Sequence, residues 1–386
     1  MVVETRDNIV IRLLLFGLLL FGSWYAYEEY IDKENSQSFL KTVKTEIDTM
    51  IESPEFKNTI EELAGGISDL AEGLEERLKD FSQNEQQTVP SDVEKPDLET
   101  PTEQTFSIHN IEVGDSKEEV EEVLGTAKRS SFNEYDIEWH AYHENYQNFV
   151  MVAYDENNTA AALYTNQDLL SSTKNITFKS DKQAVRNQLG EPITKIRKGL
   201  TYYQFQENSD YDVFFIDHNY VTVFYDKHEN NTVTAIQIIS EALEQSKRSF
   251  YTDGSESLKI GFEYQLFDLT NAARVQHGLN ILTWDEAVKE TARKHSKDMA
   301  ENNYFDHTNL EGQSPFDRMK EDNIRYIAAG ENLAAGQFSS IFAHEGLMNS
   351  LGHRKNILHD DFEFLGVGVA FNENAQPYYT ENFFAK

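Results

Sequence analysis

The sequence predicts an α+β protein. A C-terminal α-β-α sandwich follows a duplicated helix-plus-antiparallel-sheet domain, and an N-terminal transmembrane helix with a helical stalk precedes both. Three observations carry this. An apolar run, Ile9–Tyr27, lies near the start. One pattern occurs twice, as VGDSKEEVEEVLG at Val113–Gly125 and FKSDKQAVRNQLG at Phe178–Gly190. The last third alternates helical periodicity with two short strand patterns, at 365–371 and 378–384. The expected segments are a cytoplasmic tip and anchor (1–30), stalk (31–83), linker (84–105), duplicated domain (106–240), connection (241–259) and C-terminal domain (260–386).

A chain of 386 residues is too long for one ordinary core. Its net charge of −33 repels a phosphate backbone and argues against nucleic-acid binding. It has no cysteine, which removes disulfides, thiolate metal sites and a cysteine nucleophile.

The uninterrupted part of the first run, Leu13–Tyr27, is short for a bilayer, which takes roughly 20 residues. Arg12 can snorkel, and Trp24, Tyr25 and Tyr27 suit an interfacial belt. Arg6 and Arg12 precede the run and Glu28, Glu29 and Asp32 follow it, so the N-terminus is expected inside and the rest outside. A cleaved signal peptide is the rival; no A-x-A-like site follows the run, which favours a retained signal anchor.

Leu40, Val43, Ile47 and Met50, then Ile60, Leu63, Ile67, Leu70 and Leu74, recur at helical spacing, with Ser53-Pro54 as a restart. A coiled-coil stalk that self-associates, a helical hairpin and a helix docked on a later domain all fit. Asn84–Gln104 is acidic and spaced by Pro90, Pro96 and Pro101, as in an extended, mobile linker.

Each repeat is expected to open with Ser116 or Ser180 as N-cap and to close on Gly125 or Gly190. Alternating strands follow each helix, and the turns YDENNT and YDKHENNT close matching hairpins. His109, His140, His143, His218 and His228 share no metal spacing between the copies and read as surface or strand residues.

In the C-terminal third, Glu263–His277 reads as one helix with Leu266, Phe267, Leu269 and Ala273 apolar. Asp285 caps a second through Met299, with Ala287, Val288, Thr291, Ala292, His295 and Met299 facing inward. Ser314-Pro315 opens a third, and Ser339 or Ser340 a fourth that runs to Ser350. Residues 365–371 and 378–384 pair across an Asn-Glu-Asn-Ala-Gln-Pro turn, and helices on both sides of this small sheet complete the sandwich.

These residues resemble a known family. Leu269-Thr-Asn271-Ala-Ala-Arg274, Leu282-Thr-Trp284-Asp285, Tyr304-Phe-Asp-His307-Thr and Ser314-Pro-Phe-Asp317-Arg318 come first. Gly330-Glu331-Asn332-Leu333-Ala334 and Met348-Asn-Ser350-x-Gly352-His353-Arg354-x-Asn356-Ile-Leu358 follow. In order they are similar to the bacterial, Bacillus-type branch of the CAP superfamily (cysteine-rich secretory protein, antigen 5 and pathogenesis-related-1, also called SCP-like extracellular or PR-1-like). The duplicated domain resembles the CAP-associated N-terminal domain. The resemblance implies a cavity built on two histidines and two acidic residues. His307, Glu331 and His353 carry over, while Ser350 stands where eukaryotic members have the second glutamate, which weakens transfer of a metal role.

Two imidazoles and a carboxylate suit Zn or Mg as metal ligands. They suit equally a proton relay with Ser350 donating a hydrogen bond, or a buried polar network. His344-Glu345-Gly-Leu-Met348 lacks the second histidine of an HExxH helix, so Glu345 is expected to be exposed. Ser350 near His353 carries no nucleophile-elbow pattern. Three functions stay open. One is a membrane-anchored cell-surface protein that binds a lipid, cell-wall-derived or peptide ligand at His307, Glu331, Ser350 and His353. The second is a metal-assisted hydrolase using His307, Glu331 and His353, and the third a non-catalytic interaction protein acting through the duplicated module.

Overall fold

A computed structural model describes residues 93–205 and 209–386. The apolar run Ile9–Tyr27, the stalk and the start of the linker lie outside the described residues. Among the described residues, no helix is long and apolar enough to cross a membrane. From Val93 the linker has no regular structure, but it is tied down. The Glu112 carboxylate accepts from the backbone of Thr102, Glu103 and Gln104 at 2.9, 3.0 and 2.5 Å.

The first copy comprises β1 (Phe106–Ile108), α1 (Lys117–Leu124), β2 (Arg129–Phe132), β3 (Glu138–Glu144), β4 (Gln147–Tyr154), β5 (Ala160–Thr165) and β6 (Leu170–Ser172). The second comprises α2 (Lys182–Leu189), β7 (Lys195–Lys198), β8 (Thr201–Gln204), β9 (Tyr211–Ile216), β10 (Asn219–Asp226) and β11 (Thr232–Ser240). Ser116 caps α1 through a capping box with Glu119. The cap of α2 is Asp181, not Ser180: its side chain accepts from Ala184 N. Asp181 is the residue in register with Ser116, and Ser180 Oγ instead accepts from Thr177 N. Gly125 and Gly190 close the helices at φ 72° and 85°, where a side chain would be strained.

The copies merge into one seven-stranded sheet, β2-β3-β4-β5-β11-β10-β9, joined where β5 pairs antiparallel with β11. Both faces are covered, so Phe149-Val-Met-Val-Ala-Tyr154 is buried throughout. Val150, Val152 and Tyr154 meet α1 and α2 in one core. Phe149, Met151 and Ala153 belong to a second core shared with the C-terminal domain.

That domain follows α3 (Glu241–Ser246). It contains α4 (Glu256–Gln276), β12 (Thr283–Trp284), α5 (Glu286–Asn302), α6 (Pro315–Glu321) and β13 (Ala328–Ala335). It ends with α7 (Ser340–Met348), α8 (Leu351–Ile357), β14 (Phe364–Phe371) and β15 (Pro377–Ala385). Its sheet runs β12-β14-β15-β13. Leu365, Val367 and Val369 pack toward α4, α7 and α8. The other face receives α5, and Gly366 and Gly368 permit it. A Cβ there would lie 2.3 and 2.1 Å from the backbone nitrogens of Lys289 and Arg293. The α-β-α sandwich is therefore present.

Several boundaries differ from the sequence reading. Helix α4 starts at Glu256, capped by Ser255, so the expected boundary at 260 falls inside a helix. It is buried on nearly every side, including Glu263, Gln265, Asp268 and Asn271. One side meets the C-terminal sheet and the other meets β2, where a Cβ on Gly261 would lie 1.9 Å from Phe132 O. Ala287 is exposed on α5, not inward. The fourth expected helix breaks at Asn349, and residues read as a turn form α8.

Glu345 is 4 % exposed, contrary to expectation, because the seven-stranded sheet covers its face of α7. Tyr164 Oη donates to Glu345 Oε1 at 2.7 Å. Burial raises Glu345 from 4.5 to about 7. The folded state then keeps a proton that the unfolded chain releases, so stability falls as pH rises from 4.5 to 7. Glu345→Gln retains the acceptor and removes the titration. It should raise stability at pH 8 by up to about 3 kcal/mol and leave pH 4 nearly unchanged. Urea unfolding at both pH values checks this; an unaltered pH dependence would contradict it.

Candidate functional site

Three segments of the C-terminal domain build the site. Asn303, left-handed at φ 52°, ends α5 and turns the chain into the loop that carries His307. Ser314 and Pro315 start α6 with a capping box, which fixes Arg318 one turn later. Strand β13 presents Glu331, and α8 presents His353.

Glu331 is the hub. Its side chain is buried; Arg318 Nη2 donates to Oε2 at 2.6 Å and His307 Nδ1 to Oε1 at 2.9 Å. Arg318 Nη1 also donates to His307 O at 2.8 Å and Gln313 O at 3.0 Å. One guanidinium therefore holds both the carboxylate and the loop. With Nδ1–H committed to Glu331, the neutral His307 ring leaves Nε2 as acceptor or base. Its side chain is 52 % exposed, so this nitrogen's ring reaches solvent.

His353 stands close enough for His307 to depress its titration, though burial is the larger cause. Its Nδ1 is buried without a hydrogen-bond partner. Asn332 and Asn356 lock the backbone around it. Asn332 Nδ2 donates to His353 O at 3.2 Å and to Glu381 Oε2 at 3.0 Å. Asn356 Nδ2 donates to Asn332 Oδ1 and to Glu331 O. Glu381 is fully buried, accepts also from Thr270 Oγ1, and is raised by burial to about 7. The sequence reading passed over Glu381, Arg318, Asn332 and Asn356; the last three lie inside the family-like motifs, which was their only signal.

Ser350 is the N-cap residue of α8, and its side chain makes no capping hydrogen bond. His295, expected inward, is buried, and its Nε2 donates to Asp306 O at 2.9 Å. A cavity of about 250 Å³ opens beside Arg318 and His295 and is lined by neither His307 nor His353.

As a three-ligand metal centre the residues do not fit in this arrangement. Both Glu331 oxygens are taken by Arg318 and His307, and a guanidinium lies against the carboxylate. Among the described residues, the one group of three whose ligand atoms lie within 4.8 Å of one another is the surface set His359, Asp360 and Asp361. Glu331 instead has the place of a carboxylate that orients an imidazole from behind.

The hydrogen bond to Glu331 raises His307 above its usual 6.5, against the opposing effect of burial. Its contribution to stability is complete below pH 6.5 and is lost as pH rises through the raised value. Glu331→Gln should lower the His307 midpoint below that of the wild type. An imidazole NMR titration checks this, with circular dichroism as the control for folding; an unmoved midpoint would show that the hydrogen bond does not set it.

Residues 113–250 match the CAP-associated N-terminal domain, and residues 267–383 match the cysteine-rich secretory protein family. The chain is 28 % identical over 287 residues to the membrane protein YlbC of Bacillus subtilis, covering 70 % of this chain and 82 % of that one. It is 42 % identical over 129 residues to YkwD of the same organism, covering 33 % of this chain and half of that one. An extracellular protein containing an SCP domain from Bacillus anthracis superposes with a TM-score of 0.62 at 25 % identity, covering 76 % of this chain and all of that one. The C-terminal domain belongs to the bacterial type of the cysteine-rich secretory protein (CAP) family, and the chain carries the CAP-associated N-terminal domain ahead of it.

Proposed function

We propose that this chain is a membrane-anchored CAP protein whose C-terminal domain faces outward and binds a ligand at His307 and His353. The apolar run Ile9–Tyr27, with its charge asymmetry, supports the anchor, as does similarity to a relative named a membrane protein. The extracellular structural relative supports the outward side.

One observation carries the binding reading: a half-exposed imidazole is held rigid by a buried carboxylate–guanidinium pair. A purely structural network has no need to leave that ring in water. Exposed apolar side chains flank it on the same segments. Phe305 and Leu310 bracket His307, and Leu351 precedes His353, at 54 %, 65 % and 56 % exposure. This favours a ligand with an apolar portion and one polar group that meets His307, as a lipid or an apolar peptide has, over a bare wall glycan. Glu331 and Arg318 position His307; Ser350 stands at the start of α8, the helix that carries His353.

A hydrolase is the second reading, because an imidazole backed by a carboxylate is a general base. It needs no metal ligand from Glu331. Imidazole resonances of His307 and His353, followed while short-chain phospholipid, soluble muropeptide or apolar peptide is added, test the binding reading. A phospholipid or apolar peptide should shift both residues, and His353→Ala should weaken that binding at least tenfold. If none of the three probes moves either imidazole, the surface around His307 and His353 is not a binding site; product release during the titration would favour the hydrolase.

A further inference from the structure

The second copy of the repeat is longer than the first between its helix and its hairpin turn: Gly190 to Tyr225 spans 35 positions, Gly125 to Tyr154 spans 29. In this longer stretch β7 and β8 form a two-stranded ribbon that is not part of the seven-stranded sheet. Its two faces differ. Ile196 is buried, Lys198 pairs with Glu244 at 2.6 Å, and Tyr203 Oη donates to Arg248 O at 3.1 Å, so this face packs inward. Lys195, Arg197 and Tyr202 alternate onto the other face.

That outer face combines cations with apolar tips. Leu200, in the turn, is 95 % exposed, above every other large apolar residue described. Tyr202 is 53 % exposed, with Lys195 Nζ 4.6 Å and the Arg197 guanidinium 5.9 Å from its ring. Lys195 and Arg197 are exposed and have no ion-pair partner among the described residues, in a chain of net charge −33. A cationic patch persisting in so acidic a protein selects an anionic partner. A leucine at the outermost turn gains nothing from a polyol-phosphate chain, but it can enter the acyl boundary of a bilayer whose headgroups pair with the flanking cations.

We propose that the β7–β8 hairpin docks on an anionic lipid surface, with Leu200 and Tyr202 inserted and Lys195 and Arg197 at the headgroups. This rests on the membrane-anchored reading, and the two fail separately. The test uses the full chain reconstituted in vesicles. Since the chain has no cysteine, Thr201→Cys places an environment-sensitive dye at the tip alone. In phosphatidylglycerol vesicles the emission should shift to the blue; in phosphatidylcholine vesicles it should not. Lys195→Glu and Arg197→Glu should each weaken docking about fivefold, and Leu200→Asp should abolish the shift. A dye that stays aqueous in anionic vesicles, while the chain remains bilayer-associated, overturns the hairpin proposal and spares the anchor. So does a shift equal in both lipids or untouched by charge reversal. Loss of the shift on adding soluble polyphosphate would instead support the electrostatic part, whereas polyphosphate binding with no lipid response would overturn docking on a membrane.

Discussion

The structure depends on one buried seam, the packing of α4 and α7 against the seven-stranded sheet. Helix α4 is wedged between two sheets, and two of its buried polar residues, Gln265 and Asp268, bond across the seam. Arg129 Nε and Tyr146 Oη both donate to Asp268, each at 2.9 Å, and Gln265 Nε2 donates to Phe132 O at 2.9 Å. Asp268 is raised by burial to about 6 even beside Arg129. Desolvation outweighs the ion pair here, so the pair contributes register more than net stability. The apolar contacts supply the stabilisation; each fully buried leucine or phenylalanine contributes about 1.5–3 kcal/mol.

The same seam reaches the candidate site. The β10–β11 turn grips the junction of α7 and α8. Asn349 Nδ2 donates to Tyr225 O at 2.8 Å, its Oδ1 accepts from Lys227 N at 3.0 Å, and His228 Nε2 donates to Asn349 O at 3.1 Å. Arg354, next to His353, pairs with Asp226 at 2.8 Å, and both are nearly buried. The duplicated module is thus a brace for the helix that presents His353. This gives the repeat a physical task without requiring a ligand of its own, and it explains why the second hairpin turn is longer than the first.

Much of this was legible from the sequence. Helical spacing, caps and strand alternation located most elements, and the sandwich followed from their order. His307 and Glu331 meet as a shared motif would have them. What was not legible is long-range. Glu345 reads as a solvent-facing helix residue because nothing local announces the sheet that covers it. Asp268 and Gln265 look like solvent-facing polar residues of an amphipathic helix, yet they face the module seam, while Glu263 turns the other way, to Arg293 and Val369 N of its own domain. No proline marks the break at Asn349, and it is Asn349's three contacts to the hairpin that stabilise the interruption. Apart from its place in a family-like motif, Arg318 gave no more signal than any basic residue in a last helical turn, although it organises the site.

The claim most open to direct measurement is that the hairpin holds the site helix. Asp226→Asn in the full chain removes the charge facing Arg354 and keeps the side chain's shape. Amide hydrogen exchange over 351–357, read together with the His353 titration, decides the matter. If the brace holds α8, exchange there rises at least tenfold while β3–β5 stay protected, and the depressed His353 midpoint climbs toward 6.5. Unchanged protection of α8 with an unchanged His353 midpoint would contradict the account.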